Sequence, residues 1–373
     1  MSDASARAGA VLTIDLGAVI ANWWTLLARL GRGTRAAAVV KADAYGLGAA
    51  HIAPALADAG CARFCVATID EGIALRAVLS RAEILVFSGP HAGTESDFAG
   101  HRLIPTLNSP EQIERWKKAA RKANQFFAAA IHVDTGLSRL GLSPAELEVF
   151  AADREAQAAI DVVLLMSHLV IGEQPEHPLN RAQLDRFAAA RRLLPGVPGS
   201  LAASSGIFLG ADWQADWVRP GASLYGANPT PARPNPMAQV INLQGKIVQV
   251  RDIDAGDTVG YGATWRAPGP TRLAVVAAGY ADGLPRSLSN KGGAFLGETR
   301  VPLVGRVSMD LMVFDVGALP EGAAREGGFV TLIGAGNTVD EVGAAAGTNG
   351  YEILTSLGAR YHRVWTGVAG TEA

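Results

Sequence analysis

A chain of 373 residues is long enough for about two domains, and 49% hydrophobic against 18% charged residues supports a large core and excludes wholesale disorder. The net charge of −2 gives no electrostatic footprint for nucleic acid or an anionic membrane. No apolar run reaches the roughly 18 residues that a membrane span needs.

The opening segment MSDASARAGAVLTIDLG lacks a basic start followed by a long apolar stretch, so it does not read as a signal peptide, and a cytoplasmic protein is expected. Within it lies an early strand, VLTIDL (11–16). Eight further strand candidates follow: AAAVVKAD (36–43), RFCVATI (63–69), AEILVFSG (82–89), LIPTLN (103–108), FAAAIHVDTG (127–136), VVLLMSHL (162–169), GSLAASSG (199–206) and WVRPGASLYG (217–226). Cys61 and Cys65 fall around the start of the second of these. They are too few for a disulfide framework, have no partner pair for zinc, and read as buried free thiols in a reducing compartment. Amphipathic stretches fill most of the intervals. GIALRAVL follows Asp70 and Glu71, and SPEQIERWKKAARKA opens on Ser109 as N-cap with Pro110 in the first turn, a signal repeated at Ser143-Pro144. Apolar strands alternating with helices mean a parallel sheet covered by helices. Eight such units predict a (β/α)8 barrel. A doubly wound sheet is the alternative, but it normally has fewer strands and a Gly-rich phosphate turn after the first.

The proline-rich stretch NPTPARPNPMAQ reads as a linker. Beyond it the pattern changes to β-rich runs separated by Gly, Pro and Asp turns, among them VINLQGKIVQVRDI, TRLAVVAAGY and RVPLVGRVSMDLMVFDV. The expected division is a barrel domain over residues 1–236 and a mainly β domain over 237–373, with the strand at 11–16 free to pair with the second domain.

In a barrel the strand ends feed the active-site mouth. Lys41, His132, Asp134, His168, Ser204, Ser205 and Arg219 sit at such ends. A lysine closing a fully apolar strand is partly desolvated, which lowers its pKa and favours imine formation; a snorkelling or salt-bridged lysine is the other reading. In DTGLSRLG (134–141), Arg139 is either a carboxylate clamp or part of a structural Asp–Arg turn. Pro220-Gly221 bends the chain so that backbone N–H groups there either cradle a phosphate or close a plain turn.

Taken together, AVVKADAYGLG, HVDTGLSRLG, MSHL, SSG, VRPGASLYG, VGYGATW, GYADG and GRVSMD, in this order and at these intervals, resemble the alanine racemase family over essentially the whole chain. The resemblance implies a pyridoxal-5'-phosphate enzyme acting on a small amino acid, with the activity of an alanine racemase, assembled as a homodimer with shared active sites. By match to that family, Lys41 carries the cofactor and is one catalytic base. Tyr261 is the second, supplied by the other subunit. Tyr45, Ser204 and the backbone of Gly221 and Ala222 hold the phosphate, Arg219 faces the pyridine nitrogen, and His168 lies beside the ring and supports that arginine. Arg139 binds the substrate carboxylate, and Tyr280 and Met309 line the substrate pocket. No metal is implied.

The chain also departs from the family. Leu47 stands where histidine is common, and His132 where the family commonly has a lysine, sometimes carbamylated. Leu137 stands where methionine is frequent, Ala203 replaces an asparagine, and Ala359 falls where some members place a phosphate-binding tyrosine. The alternatives are a racemase of other or broader amino acids, a decarboxylase of basic amino acids on the same fold, and a non-catalytic cofactor-binding protein. The decarboxylase motifs are absent, and the second domain argues against the binding protein.

Overall fold

In the computed structural model, which describes residues 6–367, the apolar alternation of the first two-thirds builds a parallel barrel. After β1 (Ala10–Asp15), the strands are β2 (Arg35–Ala36) and β3 (Ala38–Val39), two halves of one run, then β4 (Arg63–Val66), β5 (Glu83–Val86), β6 (Ile104–Leu107), β7 (Phe127–His132), β8 (Ile160–Met166), β9 (Gly199–Ser200) and β10 (Trp217–Val218). Strands β3 to β9 form a continuous seven-stranded parallel sheet. The eighth position closes it. Trp217 and Val218 of β10 pair with Arg35 and Ala36, and the amides of Ala37 and Val39 donate to Val218 O and Pro220 O at 2.9 Å each. On its other side the Arg219 amide donates to Ala202 O. These are the eight runs expected from the sequence.

Residue alternation separates two cores. Ala37, Val39, Cys65, Leu85, Ala130, Leu164 and Met166 fill the barrel interior, while Ala38, Val40, Phe64, Val66, Ile84, Val86, Ile131 and Leu165 face the helical layer. The interior residues are mostly small, as a narrow eight-stranded barrel requires. Helix caps follow the sequence signals. Thr68, Ser109 and Ser143 each accept from a first-turn amide, and Pro110 and Pro144 sit in the first turn. Cys61 and Cys65 are buried free thiols.

Strands β11 (Ile241–Ile253), β12 (Thr258–Val259), β13 (Trp265–Arg266), β14 (Thr271–Val276), β15 (Gly293–Leu296), β16 (Thr299–Pro302), β17 (Met312–Asp315), β18 (Phe329–Ile333) and β19 (His362–Thr366) form the mainly β part. Its centre is β11, paired antiparallel with β1, β14 and β18. The early strand therefore belongs to this second sheet. Leu12 lies opposite Leu243 on one side and Arg363 of the parallel strand β19 on the other. Leu12 and Ile14 are completely buried there, which ties the start of the chain to its end.

Candidate active site

Period-two alternation decides what points into the barrel mouth. Lys41 continues the inward set Ala37 and Val39, His132 continues Ala130, His168 continues Leu164 and Met166, and Arg219 continues Trp217. Lys41 is half-buried. Burial and the nearby Arg139 lower its pKa, opposed in part by Glu71.

The chain after Lys41 takes a form that the sequence does not announce. Ala42, Asp43, Ala44 and Tyr45 all lie in the left-handed region, with φ of 52°, 54°, 53° and 55°. For L-residues this costs roughly 1–2 kcal/mol each. Gly46 (φ 81°) ends the turn where a Cβ would meet Leu354 O at 2.7 Å. The Glu71 carboxylate steadies the other end, accepting from the amides of Ala42 at 2.8 Å and Ala67 at 2.7 Å. Only Gly46 and Gly48 hint at an unusual backbone in the sequence, since the four left-handed positions carry no glycine or asparagine.

The turn presents Tyr45 to the Gly221 corner. The two tyrosines Tyr45 and Tyr225 pack with ring centroids 4.8 Å apart, and Tyr225 Oη donates to Val39 O at 2.8 Å. Burial pushes the Tyr45 hydroxyl up to about 12, so it stays a donor. Gly221 is required by close approach, because a Cβ there would lie 2.5 Å from Tyr45 Oη. Ser204 Oγ accepts from the amides of Gly221 at 3.0 Å and Ser223 at 3.3 Å, so the Gly221 N–H expected to be free is held by a hydroxyl. Ser223 Oγ is buried without a hydrogen-bond partner among the described residues. Hydroxyls, backbone amides and a glycine that keeps Cβ volume out make a cradle whose chemistry fits a phosphate.

Arg219 is buried in the barrel without a carboxylate. It donates to Ser200 Oγ, to Ser167 O at 2.5 Å and to Leu201 O at 3.5 Å, and burial lowers it to about 10, still charged at neutral pH. Its hydrogen bonds go to these three acceptors and not to His168. His168 itself is pushed down to about 3 by burial and by Arg219, Arg139 and Lys41. His132 is pushed down to about 4 by burial and Arg219. The Asn108 amide nitrogen donates to Phe87 O at 3.0 Å and Thr106 O at 2.9 Å, which turns its Oδ1 toward His132 Nδ1 at 2.8 Å. His132 therefore carries its proton on Nδ1 and leaves Nε2 as an acceptor. Asn108, Ser200 and Glu71 escaped sequence reasoning. Asn108 and Ser200 lie on the inward set of their strands, a signal that was available.

Asp134 accepts from the amides of Gly136, Leu137 and Ser138, so it shapes the turn and does not pair with Arg139, which stays exposed. Tyr261 and Tyr280 sit on short helical turns between strands and not within them, because flanking glycines at 260, 262, 279 and 283 bend the chain. Tyr261 is 72% exposed, and Tyr280, Met309 and Leu311 are exposed as well. Met309 adjoins Tyr280 because the amides of Tyr280 and Ala281 donate to Ser308 O and Met309 O at 3.0 Å.

Among the described residues, no carboxylate lies within salt-bridge distance of Lys41, Arg139 or Arg219, and no cluster of metal-ligating side chains occurs. The mouth is a cationic recess with neutral histidines, suited to an anionic ligand that reacts with a lysine.

Comparison with known proteins agrees with this chemistry. The family description "Alanine racemase, N-terminal domain" matches residues 14–229, and "Alanine racemase, C-terminal domain" matches 240–365. An alanine racemase of Rhodospirillum rubrum is 52% identical over 363 residues, covering 97% of each chain. A catabolic alanine racemase of Agrobacterium fabrum is 47% identical, covering 96% of this chain and 93% of its own. Among solved structures, an alanine racemase from Bartonella henselae with covalently bound pyridoxal phosphate superposes with a TM-score of 0.93 at 41% identity, over 96% of this chain and all of the other.

Proposed function

The chain belongs to the alanine racemase family, and from that membership we propose how its own residues divide the reaction. It is a pyridoxal-phosphate-dependent amino-acid racemase that interconverts L-alanine and D-alanine. When bound, the cofactor supplies the electron sink that makes the substrate Cα–H acidic.

The observation that carries the assignment is Lys41, a half-buried lysine of lowered pKa at the mouth end of an apolar barrel strand. Its nitrogen attaches the cofactor and, released, removes or returns the Cα proton on one face of the substrate. Tyr45, Ser204 and the backbone N–H of Ala222 would hold the phosphate, joined by the Gly221 N–H on exchange of its bond to Ser204 Oγ for one to the phosphate. Arg219 faces the ring nitrogen. A permanent cation that can only donate would disfavour protonation of that nitrogen, so the sink would stay shallow and proton exchange would prevail over loss of the amino or carboxyl group. His168, a neutral imidazole, would flank the ring of the bound cofactor. Arg139 clamps the substrate carboxylate, with His132 Nε2 as a neutral acceptor nearby. Tyr280 and Met309 restrict the pocket to small side chains.

The second base is the partner subunit's Tyr261, acting on the opposite face. Supporting this, Tyr261 is strongly exposed in its own chain, as are Tyr280, Met309 and Leu311. A homodimer that seats these residues over another barrel mouth buries them and completes the site. The division into residues 1–236 and 237–373 belongs to the same reading, supported by one family match that stops at 229 and a second that starts at 240. Unpaired buried cysteines support a cytoplasmic location.

The test is an assay of the cofactor-loaded chain on both alanine enantiomers and a panel of other L-amino acids. Alanine should racemise fastest. Cofactor absorbance without turnover on any member of the panel would instead mark a binding protein.

A further inference from the structure

We propose that the last strand holds the lysine turn in its reactive shape, with Arg363 and Trp365 as positioning residues for Lys41 and Tyr45. The inference deepens the reading of Lys41 and Tyr45 as cofactor-holding residues and rests on it.

Four successive left-handed residues persist only where their surroundings over-determine them. The turn carries backbone bonds of its own, among them Ala44 N–H to Val40 O, Leu47 N–H to Ala44 O and Asp43 O, and Gly48 N–H to Asp43 O. The tie at the front of the turn is Glu71 to the amide of Ala42. At its far end two neighbouring carbonyls are taken by β19. Arg363 Nη1 donates to Gly46 O at 2.5 Å, and Trp365 Nε1 donates to Leu47 O at 3.0 Å. The Trp365 ring also stacks on His51, centroids 3.8 Å apart, and packs where a Cβ on Gly48 would touch it.

Arg363 spends its charge on carbonyls. Its other nitrogen donates to Leu357 O at 3.3 Å and Gly358 O at 3.2 Å, and no carboxylate pairs with it among the described residues. A planar guanidinium serves both segments at once from a fixed fork of donors, which an ammonium on a flexible stem matches less well. The segment it anchors reaches the substrate side as well. The Gly358 amide donates to Asp282 O at 3.0 Å, and Arg360 pairs with Asp282 at 3.2 Å and Asp310 at 2.8 Å. Asp282 follows Tyr280 and Asp310 follows Met309 in the chain. Residues 357–365 thus tie the cofactor-side turn to both substrate-side loops.

The test uses Arg363→Gln, Arg363→Lys and Trp365→Phe in the full chain. Trp365→Phe removes the N–H donor and part of the indole volume but keeps an aromatic ring against His51, so it guards against simple unfolding. Amide hydrogen exchange is read first, without cofactor. Exchange at Ala44, Leu47 and Gly48 should rise about tenfold in Arg363→Gln and Trp365→Phe, less in Arg363→Lys, with β7 and β8 unchanged. With cofactor, retention of pyridoxal phosphate and kcat should each fall about tenfold, while KM for alanine stays near the parent value because Arg139 is untouched. Unchanged exchange at the turn would overturn the proposal, as would acceleration spread equally through β7 and β8. If the parent chain fails to attach cofactor at Lys41, the proposed function falls, and the exchange results alone decide the brace.

Discussion

The barrel mouth and the rim of the second domain prepare their reactive groups in opposite ways. At the mouth, Arg219 is completely enclosed, His132 and His168 are driven neutral, and Lys41 sits on a strained turn held by Glu71. At the rim, Tyr261, Tyr280 and Met309 stand on glycine-bounded turns in the open. Low dielectric and geometry fixed within one chain tune the first set. The second set has no such environment within its own chain. On the proposed reading, folding builds the first half of the active site and association of two chains completes the second.

The sharpest blow to that contrast is Lys41→Ala. It should abolish borohydride-reducible attachment of cofactor and nearly all racemisation, a loss of about 10⁴-fold or more. A label recovered on another lysine by peptide mapping would remove the mouth from the mechanism. Next in size is complementation between the two regions. Lys41→Ala and Tyr261→Ala homodimers should both be nearly inactive. After subunit exchange, about half the dimers are hybrids with one intact site each, so roughly a quarter of parental sites should return. Proven exchange with no recovery would place both bases in one chain.

A more moderate effect should follow from Arg219→Glu. A carboxylate there lets the ring nitrogen keep its proton and deepens the sink. Racemisation should fall while transamination rises relative to it; an unchanged product ratio would show that the buried cation does not set the outcome. The smallest effect concerns stability. His132 and His168 lie near 4 and 3 in the folded chain, below the ordinary 6.5, so the unfolded chain binds more protons as pH falls. Their contribution is complete above about pH 6.5 and is lost progressively toward pH 4 and 3. Between pH 7 and 5 the urea midpoint should drop by an amount worth on the order of 1–2 kcal/mol per histidine, and less in His132→Gln. Equal slopes for parent and variant would mean that the mouth does not shield this ring.

Much of this was legible beforehand because alternation is a local property of the chain. The inward positions of eight short apolar strands can be counted along the sequence, and counting places Lys41, His132, His168 and Arg219 at one mouth whatever the rest does. The same counting would have found Asn108, which fixes the His132 tautomer. The motif order added the roles expected of these residues, and the strand at 11–16 was visible as one strand too many for a barrel.

Tertiary structure decided the rest. Four alanine, aspartate and tyrosine residues have no intrinsic wish to be left-handed; they are so because partners elsewhere in the chain accept no other arrangement. Arg363 meets Gly46 across 317 positions, and Ser204 takes the Gly221 amide that the local pattern left free. The exposure of Tyr261 likewise emerges only once the second sheet is folded. A sequence reports which faces its elements present, since that depends on residues two or four apart. It does not report which distant groups will meet, because that depends on the packing of whole elements against one another.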